Sequence, residues 1–252
     1  MSGLWIFDRV SFRQGGRPVL EGASLSIAAG EVVGVLGPNG AGKTTLIRAG
    51  LGLVEAQGAI ELGGKALKAL SELERAARAG YLPQERRVAW NLPAWRVAAL
   101  GAPSLPARKA RNQALAALDD LGLSHLAERG VLDMSGGERA KVLLARLLVT
   151  NAPLLVADEP AAGLDPDAQI MILERLAEAA GQGAGVVVTL HDLTLAARHC
   201  QRLIVLSQGR IAADGPPSEA LSPQILREVF GLDGALISSP AGLVLAAKRI
   251  AA

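Results

Sequence analysis

The order of apolar and polar positions divides this chain into short buried runs, β-rich pieces around glycine turns, and longer stretches of helical period. Residues 31–36, 154–157 and 186–190 are nearly unbroken runs of Val, Leu and Ala. They are too short for helices and predict strands of a parallel sheet buried on both faces. β-Rich pieces at 4–7 and 25–27 lie either side of Gly15-Gly16, and 59–67 surround Gly63-Gly64. Both read as antiparallel hairpins beside that sheet. Apolar residues three and four apart predict helices over 71–79, 107–121, 139–149 and 167–180, with shorter ones over 45–49 and 223–230. Residues 81–85 read as a strand ending at a polar residue, 203–206 and 210–212 flank a turn at 207–209, and 236–237 with 243–245 make a final hairpin.

Between residues 86 and 150 the character changes, with prolines at 93, 103 and 106 and alanine-leucine helical spacing. This reads as a helical subdomain set into an α/β core made of 1–85 and 151–252, the whole forming one domain. At 252 residues the chain is long enough to bury a sizeable interior. Hydrophobic content of 50% with 20% charged residues is that of a globular protein, and 3% aromatics demands an aliphatic core. So few aromatics make stacking platforms for single-stranded nucleic acid scarce. A net charge of +2 with no long basic block gives no electrostatic case for nucleic acid or anionic lipid. Arg86, Arg87, Arg108, Lys109 and Arg111 read as solvated charges, and His125 and His199 as surface or packing residues. The single cysteine, Cys200, excludes an internal disulfide and a multi-thiolate metal site. Asp8 and Arg9 stand where a signal peptide would be apolar, and the run 142–156 is broken by Arg146, Asn151 and Pro153. A cytosolic chain is expected, working at a membrane only through a partner.

The chemistry concentrates at four places. Residues 37–44, GPNGAGKT, satisfy G-x-x-x-x-G-K-[ST] between a predicted strand and a predicted helix. Backbone amides converge on a phosphate where glycines leave room, here Gly37, Gly40 and Gly42; Lys43 adds a charge for the β- and γ-phosphates and Thr44 a hydroxyl for Mg²⁺. Residues 134–138, Met-Ser-Gly-Gly-Glu, place an N-cap serine before uncovered amides and make a second anion site. Asp158 and Glu159 follow an apolar run, so a strand delivers two carboxylates to the sheet's carboxyl edge. Asp158 is placed to hold Mg²⁺, and Glu159 to accept a proton from an attacking water. His191 ends another buried strand and can reach a γ-phosphate.

Taken together these motifs resemble the ATP-binding subunit of ABC transporters over nearly the whole chain. The resemblance implies a P-loop NTPase fold, with a RecA-type core sheet, an antiparallel β subdomain and an inserted helical subdomain. It makes Gly37, Pro38, Asn39, Gly40, Ala41, Gly42, Lys43 and Thr44, with Thr45 beside them, the Walker A residues that bind ATP. Gln84 becomes the Q-loop glutamine, touching Mg²⁺ and the attacking water. Ser135, Gly136 and Gly137 belong to the signature motif, in which Met134 and Glu138 replace the commonest residues. Asp158 ends Walker B, Glu159 is the catalytic glutamate, Asp165 the D-loop aspartate and His191 the switch histidine. Where the family has an aromatic that stacks on adenine, this chain has Gln14, with Phe12 two residues earlier. Either adenine stacks weakly or Phe12 takes the task.

The resemblance also implies a head-to-tail dimer in which ATP on Lys43 of one copy is closed over by Ser135 and Gly137 of the other. The expected place is the inner face of the cell membrane, bound peripherally to permease subunits that a periplasmic binding protein feeds. Residues 90–101 and 191–217 are similar to ATPases of iron-siderophore, haem or cobalamin importers. The rival expectations are an exporter ATPase and a non-transport regulatory ABC protein. Translation factors of that second class carry two cassettes in one chain and chromosome-organising ones a long coiled coil, neither of which is seen here.

Overall fold

The computed structural model describes residues 3–85 and 88–250. Arg86 and Arg87, expected as solvated charges, lie outside the described residues. The first hairpin joins β1 (Trp5–Gln14) to β2 (Arg17–Ile27) through Gly15 and Gly16 at φ +56° and +81°. Two successive positive φ angles are what a tight type I′ turn requires. These strands are much longer than the predicted pieces. The pairing slips between Phe7 and Val10, with Arg9 at φ +49°, and again near Phe12, so the two-residue alternation that marks a strand is broken midway.

In chain order there follow β3 (Val32–Leu36), α1 (Lys43–Gly50), β4 (Gln57–Leu62), β5 (Lys65–Ala66), α2 (Glu72–Ala76) and β6 (Ala79–Leu82). Next come α3 (Ala94–Ala99), α4 (Ala107–Asp120), α5 (Gly136–Leu148), β7 (Leu154–Ala157), α6 (Pro166–Gly181) and β8 (Gly185–Thr189). The last third holds α7 (Leu193–His199), β9 (Arg202–Ser207), β10 (Arg210–Gly215), α8 (Pro217–Ala220), α9 (Pro223–Phe230), β11 (Leu232–Ser239) and β12 (Gly242–Arg249). The strand predicted at 81–85 is β6 at 79–82, because Pro83 has no amide to continue the ladder, and Gln84 falls in the loop beyond it.

Six strands form the central sheet in the order β10-β9-β3-β8-β7-β6, parallel throughout except for the antiparallel edge strand β10. Alternate residues of β3 divide the interior in two. Val33 and Val35 join Trp5, Phe7, Ile47, Val187 and Ile204 in a core that traps α1 between the central sheet and the four-stranded sheet β2-β1-β4-β5. Val32 and Leu36 face a second core with Leu144 of α5, Leu173 and Leu176 of α6 and Ala196 of α7. With both faces buried, all five residues of β3 are buried, which is why it reads as an unbroken apolar run.

Two close approaches hold the first core. Trp5 Nε1 donates to Gly50 O at 2.9 Å, and a Cβ at Gly50 would lie 2.1 Å from the Trp5 ring, so glycine lets α1 seat on the indole. Helices α3, α4 and α5 pack on one another, and α5 also reaches β6 and α6. The terminal hairpin β11-β12 lies on α7, with Arg198 Nε donating to Leu243 O at 3.0 Å and Leu245 N–H to Thr194 Oγ1 at 3.2 Å. Among the described residues no helix is long and apolar enough to cross a membrane.

Candidate active site

Parallel strands β3, β6, β7 and β8 point their carboxyl ends the same way, so the loops after Leu36, Leu82, Ala157 and Thr189 share one edge. That edge is where an open parallel sheet binds ligands. The loop after β3 exposes Pro38, Asn39 and Gly40 and buries Gly37, Ala41 and Gly42. Gly42, at φ +104°, precedes α1 without any side-chain cap, leaving the first amides of that helix without an acceptor from a cap. Thr44 and Thr45 are half-buried in its first turn.

The three loop glycines have different reasons to be glycine. A Cβ at Gly37 would stand 2.2 Å from Leu206 O of β9, and one at Gly42 2.8 Å from Val19 O of β2. At Gly40, φ +80°, nothing lies within 4 Å of the added atom. Of the three, Gly40 borders open space, whereas Gly37 and Gly42 are demanded by neighbouring backbone whether or not a ligand is bound.

Lys43 is 6% exposed, and its Nζ donates to Gly37 O at 2.8 Å and Pro38 O at 3.2 Å, bracing the loop ahead of its own helix. Burial lowers its ammonium below the ordinary lysine value, while the Glu159 and Asp158 carboxylates pull it back up. The two acids therefore lie within electrostatic reach of the loop's cation.

Asp158 is 1% exposed; its Oδ1 accepts the Thr189 hydroxyl at 2.6 Å, and its Oδ2 has no hydrogen-bond partner among the described residues. A buried carboxylate oxygen left unpaired is costly, and a hard divalent cation is a partner that would relieve it. The residues present thus fit Mg²⁺, with Asp158 offering oxygen and the half-buried Thr44 a hydroxyl.

Glu159 adopts φ +52°, unusual for a residue with a side chain, and its N–H donates to Thr189 Oγ1 at 2.7 Å. Its carboxylate is where three loops meet. Gln84 Nε2 donates to Oε2 at 2.9 Å, and His191 Nε2 lies 2.6 Å from Oε1. A carboxylate between an amide and an imidazole at the sheet edge is equipped to orient a water and take its proton.

The side chains of Ser135 and Asp165 bond locally, each capping its own helix. Ser135 is the N-cap of α5: its Oγ accepts Glu138 N–H at 3.2 Å, and Glu138 Oε2 accepts Ser135 N–H at 2.8 Å. This reciprocal pair is a capping box, in which Glu138 fills the third helical position. It also holds the Glu138 carboxyl below the ordinary glutamate value, first through the Ser135 backbone bond. A Cβ on Gly136 or Gly137 would meet nothing within 4 Å, so that helix start is open. Asp165 is exposed and caps α6, its Oδ1 accepting Ala168 N–H at 2.9 Å. Phe12 is half-buried against the first core, and Gln14 is exposed at the end of β1. Sequence reading missed Thr189, for which a signal existed: a hydroxyl inside a buried run of valines must find partners.

The family model described as ABC transporter matches residues 20–162. The Hemin import ATP-binding protein HmuV of Pseudomonas aeruginosa is 43% identical over 239 residues, spanning 90% of this chain and 92% of that protein. Its namesake in Bradyrhizobium diazoefficiens is 39% identical over 242 residues, spanning 92% and 90%. A solved structure of the ATP binding subunit of an ABC transporter superposes with TM-score 0.78 at 31% identity, over 92% of this chain and 95% of that one. A metal-chelate type ABC transporter in an inward-facing conformation gives 0.83 at 23% identity over 98% of each chain, a likeness of fold alone. With its Walker-type loop, its edge of converging acids and these relatives, the chain belongs to the ABC transporter family as an ATP-binding subunit, an ABC-type ATPase.

Proposed function

We propose that two copies of this chain, head to tail, hydrolyse ATP and so drive import of haem, or a related iron chelate or corrinoid, through a membrane permease. What carries the reading is the meeting of Gln84, Glu159 and His191 at one carboxylate, next to a buried Asp158 with an unpaired oxygen. The hemin import named for relatives about 40% identical supports the class of cargo. In this reading Gly37 to Thr45 cradle the triphosphate, Lys43 neutralises it, and Glu159 takes the proton of the attacking water while His191 and Gln84 hold that carboxylate and the γ-phosphate in line. Mg²⁺, held through Asp158, Thr44 and Gln84, would supply charge neutralisation at the β- and γ-phosphates. Ser135, Gly136, Gly137 and Asp165 serve the ATP of the other copy, a reading supported by the open helix start at Gly136 and Gly137. The adenine contact falls to Phe12 or goes without a stacking ring.

Residues 86–150 act as a helical subdomain that, with the Gln84 loop, meets permease subunits at the inner face of the cell membrane. A periplasmic binding protein would deliver cargo on the far side. Two measurements test this. Vesicles holding the chain with its cognate permease are expected to take up one of haem, iron chelates or corrinoids only with ATP and Mg²⁺; uptake of none of them, or uptake without ATP, refutes the import reading. Glu159→Gln is expected to keep ATP binding, to accumulate as a dimer and to lose about 10²–10⁴-fold in turnover, the range for a general base. A variant turning over at the parental rate removes Glu159 from that role.

A further inference from the structure

We infer that Thr189 is a positioning residue for the hydrolytic pair: one buried hydroxyl sets both the carboxylate of Asp158 and the backbone of Glu159. The inference rests on the reading of Asp158 and Glu159 given above. Thr189 is the last residue of β8, fully buried, and follows Val188, which pairs with Ala157 of the neighbouring parallel strand. The next residue of β7's chain is Asp158, so the register alone brings the hydroxyl beside the two acids.

A threonine hydroxyl has one proton and two lone pairs. The Glu159 N–H, 2.7 Å away, can only donate and so occupies a lone pair. The proton is then directed to Asp158 Oδ1 at 2.6 Å, an acceptor when ionised. The polarity of the link is thereby fixed from Glu159 N–H through the hydroxyl to Asp158.

Two consequences follow from that direction. Pinning Oδ1 selects one orientation of a carboxylate that is 1% exposed and leaves Oδ2 as the oxygen without a partner, available to a cation. Holding the Glu159 amide anchors a residue at φ +52°, a backbone state that persists only where the surroundings impose it. That anchor decides where the Glu159 carboxylate stands between Gln84 and His191. Because His191 follows Thr189 by two residues, the same strand end places the histidine and the brace.

The test compares Thr189→Val, which keeps the shape but removes the hydroxyl, with Thr189→Ser, which keeps the hydroxyl but removes the methyl. Binding of a ribose-labelled fluorescent ATP is titrated in the presence of a chelator and then against Mn²⁺, and kcat and KM are measured separately. Thr189→Val is expected to bind the metal-free nucleotide within about twofold of the parent. Its Mn²⁺ half-saturation should rise and its kcat fall, each on the order of 10-fold or more, as when a buried acid loses its partner. Thr189→Ser should stay within about threefold of the parent on all counts. Unchanged kcat and Mn²⁺ dependence in Thr189→Val would overturn the inference. So would equal losses in both variants, or a loss of metal-free binding as large as the metal-dependent one, since each would trace the effect to packing. Asp158→Asn is run in parallel: if it keeps the parental Mn²⁺ dependence, the assignment of Asp158 fails, whereas its loss beside a normal Thr189→Val fails the brace alone.

Discussion

Replacing Gly37 by alanine separates what the fold demands of the phosphate loop from what a ligand demands. The new Cβ would sit 2.2 Å from Leu206 O and 3.1 Å from Ala41 Cβ. Ordinary contact needs about 1 Å more from the carbonyl. Leu206 cannot retreat freely, because the preceding residue of β9, Val205, is paired to Leu36 of β3 in the middle of the central sheet. Overpacking of this kind costs about 1–3 kcal/mol, and the φ of +144° adds about 1–3 kcal/mol for a residue with a side chain. Gly40→Ala is the internal control: φ +80° and open space leave only the backbone term, about 1–2 kcal/mol. At about 2–4 °C per kcal/mol for a chain of this size, Gly37→Ala is expected to lower the thermal midpoint by about 4–24 °C and Gly40→Ala by about 2–8 °C, with Gly37→Ala the larger of the two. Both are measured without nucleotide by circular dichroism at 222 nm. Should Gly40→Ala prove equally or more destabilised, the claim that Gly37 is fixed by β9 would be wrong.

Ser135→Ala removes the acceptor for Glu138 N–H and is expected to cost about 1 kcal/mol in urea unfolding, the usual worth of an N-cap. The Glu138 carboxyl is held below its ordinary value in the fold, so its contribution is whole above the unfolded glutamate value and fades as pH falls through the lower folded one. The gap between the parent and Glu138→Ala, which removes that carboxylate, should therefore narrow below about pH 4, and a gap that widened there would contradict the capping geometry. Cys200 is buried against Gly34, and burial pushes its thiol up to about 12. It should resist iodoacetamide at pH 8 in the folded chain and react once urea unfolds it, as mass spectrometry would show. Rapid labelling of the native protein would place Cys200 outside the core.

Most of the fold and most of the candidate site are legible in local sequence, for a physical reason. A strand buried on both faces, such as Val32–Leu36, must be apolar at every position. A phosphate loop must keep Lys43 at a fixed distance from its glycines, and a helix start with little else to cap it must carry Ser135 or Asp165. These are demands within a few residues, and they leave a pattern that spacing alone reveals. The terminal hairpin was readable in the same way, from β-rich pieces around Pro240-Ala241-Gly242, although its strands run further, over 232–239 and 242–249.

What stayed hidden was set by contacts between distant segments. β1 and β2 show in the sequence only as fragments because a bulge at Arg9 destroys the alternation, and the second strand needed to recognise the first lies across the turn. Gly37 and Gly40 look equivalent in the motif, yet one is dictated by Leu206, 169 residues away, and the other borders open space. Thr189 is the sharpest case: its neighbours in sequence ask only for a β-branched residue, and valine would serve them as well. The demand for a hydroxyl comes from Asp158 and Glu159, residues whose own pattern is complete without it. A motif reports the residues that meet a ligand, whereas the group that aims them answers to the strand next door, so it has to be sought where a polar side chain interrupts a buried run without any local need for it.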